Sequence, residues 1–145
     1  ADEPSRSPPD AGIYTREFND RTYAQLGQAA AAVLAAGEAA IVDAAFLRRA
    51  ERRQFLELAA TTGSRATIVH CHAPQEVLRK RIAARTAARN DASEAGLDVL
   101  ARQPGYWERF EADEIAHLAV VDTSDPAAVA TLLDRLAVQA PGRSP

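Results

Sequence analysis

Two groups of residues in this chain have types and spacings that suit phosphate chemistry. Ile41-Val42-Asp43 is an apolar run closed by an acid, the form in which a strand delivers a carboxylate beside a phosphate-bound Mg²⁺. An acid in that place also serves as a helix cap or a solvated turn, and the spacing leaves both uses open. Arg79, Lys80, Arg81, Arg85 and Arg89 form a basic cluster, and within it Arg81, Arg85 and Arg89 recur every four residues and so share one helix face. Guanidinium forks match phosphate oxygens two at a time, so this stripe suits a transferring phosphoryl group; a solvated face is its other use. Arg48, Arg49, Arg52 and Arg53 make a second cluster, which we read as facing solvent.

Other chemistry-bearing residues point to less. In a strand, His70 and His72 lie on one face and Cys71 on the other, so the trio does not converge on a metal. Cys71 reads as a small buried hydrophobe, and as the single cysteine it has no internal disulfide partner. Trp107, with Tyr106 and Phe110, has the character of a base-stacking group or of local core cover. The phosphate-cradling pattern G-x-x-x-x-G-K followed by Ser or Thr does not occur, because none of the 7 glycines precedes a lysine at that spacing.

The elements that must position these residues follow from periodicity. The 145 residues, 47% of them hydrophobic, suit a single domain with one core. Residues 1–11, with three of the 8 prolines, and residues 140–145 read as disordered tails. Thr15 caps a helix of about 20 residues whose apolar positions recur at helical spacing and which Gly37 ends. Residues 39–43 read as a strand, 48–62 as a helix, 66–71 as a second strand and 74–88 as a helix. A lid-like insertion spans about 86–114, with Pro104-Gly105 breaking it. Residues 117–122 are a third strand, ending in Asp122-Thr123, and 126–138 a final helix carrying Val129, Leu132, Leu133 and Leu136. Short apolar strands alternating with helices imply an α/β fold, a three-layer parallel sheet covered on both faces. In such sheets ligands sit at the carboxyl ends of the strands, here Asp43, His70 to His72, and Asp122 with Thr123.

Bulk charge excludes some classes. Lys plus Arg total 17 against 20 Asp plus Glu, a net charge of −3, so a protein that coats nucleic acid is disfavoured. The 33 alanines, and a single lysine among the basic residues, look like the imprint of G+C-rich coding. No apolar stretch approaches the roughly 20 residues that span a bilayer, and the polar, proline-rich start lacks a signal-peptide core. The expected compartment is the cytoplasm. The chain starts without methionine, so we expect either a processed protein or a piece of a longer one.

Taken together and in order, G-I-Y-T at 12–15, R-T-Y-A-Q-L at 21–26, I-V-D-A-A-F-L-R-R at 41–49, C-H-A-P at 71–74, L-R-K-R-I-A-A-R at 78–85, D-A-S-E-A at 91–95 and V-D-T at 121–123 resemble an AAA-type family of P-loop kinases. The pieces are similar to the zeta-toxin and polynucleotide-kinase-like ATP-binding domains that bacteria often fuse to an aminoglycoside-phosphotransferase-like domain. The resemblance implies a partial P-loop nucleoside-kinase core over residues 12–139, with ATP and Mg²⁺ as cofactors. Asp43 would be the metal-side acid, and Arg81 and Arg85 would be catalytic and nucleotide-binding lid arginines. Asp91, Ser93 and Glu94 would belong to the lid, and the region from Tyr14 to Tyr23 would border the acceptor, a small-molecule or nucleotide hydroxyl.

Two departures from the family stand out. It usually has V-D-A-T-F where this chain has Val42-Asp43-Ala44-Ala45-Phe46, and its first strand and P-loop precede the segment that matches here. We therefore expect a kinase or transferase domain that lacks its phosphate loop and is inactive alone. The alternative is a non-catalytic binding or regulatory module on the same scaffold.

Overall fold

The computed structural model describes residues 16–88 and 107–139. Its elements run α1 (Arg16–Ala35), α2 (Arg49–Thr61), β1 (Ile68–His72), α3 (Gln75–Ala88), α4 (Ala112–Ile115), β2 (Leu118–Asp122) and α5 (Pro126–Gln139). Thr15, the lid core at 89–106 and both tails lie outside the described residues.

Helices α1 and α2 end by the same device. After α1, Gly37 takes φ 78° and the Glu38 N–H reaches back to the Val33 carbonyl at 3.2 Å; after α2, Gly63 takes φ 66° and the Ser64 N–H reaches the Ala59 carbonyl at 2.8 Å. A residue without Cβ adopts this left-handed turn freely, and the backward bond satisfies a carbonyl the helix leaves open. At the start of α2 the Arg48 N–H donates to the Glu51 carboxylate at 3.0 Å, which satisfies a donor that helix geometry orphans. The two helices pack across Gly27, where an added Cβ would lie 2.8 Å from Gln54 Nε2. That same nitrogen donates to the Tyr23 carbonyl at 3.2 Å.

Strands β1 and β2 pair in parallel, in register from Ile68 with Leu118 to His72 with Asp122. Beyond the first rung Ile68 N–H donates to the His117 carbonyl at 2.7 Å, and past the last rung Thr123 N–H donates to the His72 carbonyl at 2.8 Å. Helix α5 packs on β2, whose Ala119 and Val121 are buried, and Asp125 caps the helix by accepting from the Ala127 N–H at 2.9 Å.

Four sequence expectations are corrected. Residues 39–43 are irregular, and Ile41 is 97% exposed; a strand needs a neighbour for its backbone groups, and among the described residues none pairs with this one. Cys71 is exposed rather than buried, because its face of β1 lies open. Leu133 stands 60% exposed on α5, outside the face that meets β2.

The largest correction concerns Arg52, which is 2% exposed and paired with Glu114, itself 1% exposed. Arg52 Nε donates to Glu114 Oε1 at 2.6 Å and Nη2 to Oε2 at 3.2 Å. The remaining donors reach the carbonyls of Phe46 at 3.1 Å, Leu47 at 3.3 Å and Arg109 at 3.3 Å. Glu114 also accepts from the Glu111 N–H at 2.9 Å. The arginine side chain holds its carboxyl below the usual carboxylate range, against the opposing effect of burial.

Breaking this pair from one side leaves a buried charge alone, which costs about 3–5 kcal/mol. Glu114→Ala should therefore lower stability by that amount in urea denaturation, whereas Arg52→Met with Glu114→Leu should recover part of the loss. Asp113→Ala, which cuts the exposed Arg49 contact at 2.9 Å, should change stability far less. Equal losses from the two acid substitutions would deny the buried pair its special place.

Candidate functional site at the carboxyl ends of the strands

The carboxyl ends of β1 and β2 converge on Thr123. Its N–H and its hydroxyl both donate to the His72 carbonyl, at 2.8 and 3.1 Å. From α3, Arg81 Nη1 donates to Thr123 Oγ1 at 2.8 Å and Nη2 to the Thr123 carbonyl at 2.7 Å. One residue after β2 thus ties both strands to the helix that follows β1. Asp122 turns away into a local loop, where Oδ1 accepts from Ser124 N–H at 2.8 Å and Ser124 Oγ at 2.6 Å. Those Ser124 bonds hold the Asp122 carboxyl below its ordinary value, with His72 and Arg81 adding a smaller electrostatic pull.

The stripe read from the sequence is thereby divided. Arg81 is exposed yet fixed by two bonds to Thr123, with its guanidinium faces and Nε outside that clamp. Arg85, one turn on, is exposed and makes no hydrogen bond or ion pair among the described residues. Arg89 lies outside them. Asp43 is exposed on its irregular segment, likewise without a hydrogen bond or ion pair among the described residues, to Arg81 and Arg85 or to any other. No group of three acidic, histidine or cysteine side chains arranged for a metal occurs among them.

Downstream of Asp43 the backbone is tightly governed. Phe46 takes φ 48°, the one non-glycine residue at positive φ among those described. A bulky side chain there is strained, by about 1–3 kcal/mol, and persists only where its surroundings impose it. Its N–H donates to Tyr23 Oη at 2.9 Å, and its ring meets Tyr23 at 5.3 Å and Phe55 edge-on at 5.2 Å. Tyr23 is 7% exposed, and its hydroxyl serves this loop; Tyr14 lies outside the described residues. Burial, with Glu51 nearby, pushes the Tyr23 phenol above its ordinary value, partly offset by the Phe46 N–H.

Trp107 proves to be part of a packed cluster. It stacks on His70 with centroids 5.9 Å apart and 23° between planes, and Phe110 meets His70 edge-on at 5.3 Å. Arg52 lies 4.8 Å from the centre of the Phe110 ring. His72, on the same strand face as His70, is 6.3 Å away. Tyr106 lies outside the described residues.

Burial lowers the His70 imidazole below 6.5, reinforced by the positive charge of His72 and Arg52. The direction of the stability effect follows. Above pH about 7.5 neither the folded nor the unfolded chain holds this proton to any extent. As pH falls, the unfolded chain binds it first, so stability declines until the folded-state value is also passed. The urea midpoint should drop between pH about 7.5 and 5.5, and His70→Phe should remove that portion of the drop. Identical pH slopes in parent and variant would exclude His70 as its source.

No curated protein and no solved structure matches the chain. The AAA domain family matches residues 2–110, well over half of the sequence, a span that holds Asp43, Arg81, Arg85 and the Trp107 cluster and stops short of Thr123. With a parallel two-strand sheet, covering helices and an arginine fixed at the strand ends, the chain belongs to the AAA domain family, a P-loop nucleotide-binding and kinase-like family.

Proposed function

We propose that this chain is the nucleotide-handling part of an ATP-dependent kinase, of the zeta-toxin and polynucleotide-kinase-like branch, that transfers the γ-phosphoryl group to a hydroxyl of a small molecule or nucleotide. The observation that carries the reading is Arg81, within the family-matched span and fixed at the ends of both parallel strands, where open α/β sheets take their ligands. Arg85 lies one turn further along the same helix face and is uncommitted among the described residues. It supplies a second guanidinium for charge on a transferring phosphoryl group.

Asp43 fits the metal side of this reading. Mg²⁺ keeps most of its water shell and is held through one or two carboxylates plus substrate phosphates, so a single exposed carboxylate with no competing partner among the described residues is an adequate protein share. When bound, Mg²⁺ would neutralise charge on the phosphates. Asp43 would hold or orient it, Arg81 would fix the nucleotide, and Arg85 would meet the phosphoryl group as charge develops.

The pattern G-x-x-x-x-G-K does not occur in these 145 residues, and its amides and lysine provide most phosphate contacts in P-loop kinases. That fact favours a second reading, a non-catalytic binding module on this scaffold. It also sets the expected affinity. In an NMR titration with MgATP the chain should bind at about millimolar strength, roughly 4 kcal/mol, with amide shifts centred on His72, Arg81 and Thr123 and with no phosphoryl transfer. Arg81→Ala should abolish those shifts, and exposed Arg53→Ala should preserve them. Shifts that survive Arg81→Ala would place the nucleotide elsewhere, and low-micromolar affinity would mean that another element replaces the phosphate loop.

A further inference from the structure

Asp43 has no anchor of its own among the described residues, yet the backbone three residues later is held by side chains at both its N–H and its carbonyl. The N–H of Phe46 is taken by the Tyr23 hydroxyl from α1, and its carbonyl by the Arg52 guanidinium from α2. The next carbonyl, of Leu47, is held by the same Arg52 nitrogen. Rings on both helices, Tyr23 and Phe55, fix the Phe46 side chain. Each helix thus gives one polar side chain to opposite ends of a single left-handed residue. From these contacts we infer that Tyr23 and Arg52 are positioning residues for Asp43, acting through the Phe46 backbone.

The chemistry requires both partners to be polar and buried. A left-handed phenylalanine reverts to an ordinary conformation unless its surroundings impose the strained one. Packing of the ring fixes where the side chain lies, but the direction of the peptide planes is set by hydrogen bonds at N–H and carbonyl. Those planes decide where Ala45, Ala44 and Asp43 go. Tyr23 is also well suited because its hydroxyl accepts the Phe46 N–H while its own proton remains available to the nearby Glu51 carboxylate. Glu51 in turn receives the Arg48 N–H at 3.0 Å, so the loop's far end is drawn into the same network. The inference rests on the proposed role of Asp43, but its structural half can be measured without any ligand.

The experiment uses the full chain and Tyr23→Phe, which keeps the ring and removes the hydroxyl, and with it the acceptor for the Phe46 N–H and the donor toward Glu51. Backbone ¹⁵N relaxation should show the Asp43 and Ala44 order parameters falling from about 0.85 to below about 0.6, with β1 and β2 unchanged. A substitution that merely lowered global stability would leave fast motion at Asp43 as it was. In the same two proteins, MgATP affinity should fall about fivefold while affinity for ATP in EDTA stays constant. An unchanged order parameter at Asp43 overturns the inference, and so does an equal effect on ATP with and without Mg²⁺. If the parent itself binds no MgATP, the kinase reading falls, and the relaxation result alone decides whether Tyr23 positions Asp43.

Discussion

The architecture depends on the buried pair of Arg52 and Glu114. These residues are 62 positions apart, and their bonds join α2 to α4 while the same guanidinium gathers the carbonyls of Phe46, Leu47 and Arg109. A planar, always charged fork is suited to this, since its five donors can be distributed among acceptors that do not otherwise meet. Desolvating two charges is expensive, and a buried pair is not by itself a source of stability relative to an apolar core. Its value here is directional. Among the described residues the buried apolar side chains are few, three of the five being alanines, and packing among alanines sets few angles. The ion pair supplies the angles.

From that constraint the two ends of the molecule take their form. On one side the Phe46 turn is locked between α1 and α2, downstream of an exposed carboxylate. On the other, Phe110 is pinned against Arg52 and presents its edge to His70, which brings Trp107 onto the sheet. The strand ends are organised independently, by Thr123. The proposed site would therefore have two parts, Asp43 set by the helix pair and Arg81 set by the sheet.

Much of the fold was legible in the sequence, because local signals wrote it. Gly37 and Gly63 mark true helix ends, Pro126 opens the last helix, and His70 and His72 share a strand face as the two-residue period requires. What failed were inferences needing a partner distant in sequence. Residues 39–43 have strand composition, yet composition does not supply the neighbour that makes a strand. Arg52 sits among three other arginines and looks like a solvated residue; only Glu114, 62 residues on, makes it a core residue, and no local periodicity announces that. The every-fourth spacing correctly placed Arg81 and Arg85 on one helix but could not reveal that Thr123 captures the first and leaves the second uncommitted. The Trp107 stack on His70 was hidden for the same reason.

The clamp on Arg81 has a thermodynamic consequence for whatever meets it. An arginine on the surface normally samples many rotamers, and immobilising such a side chain on binding costs about 0.5–1.5 kcal/mol. Here both terminal nitrogens are already held by Thr123, so the ordering takes place when the chain folds and is absent from the association step. The hydrogen bonds of the clamp also fix the plane of the guanidinium. A flat partner would find a flat surface of set orientation, and the discrimination between partners would fall on shape and stacking more than on the reach of a flexible cation.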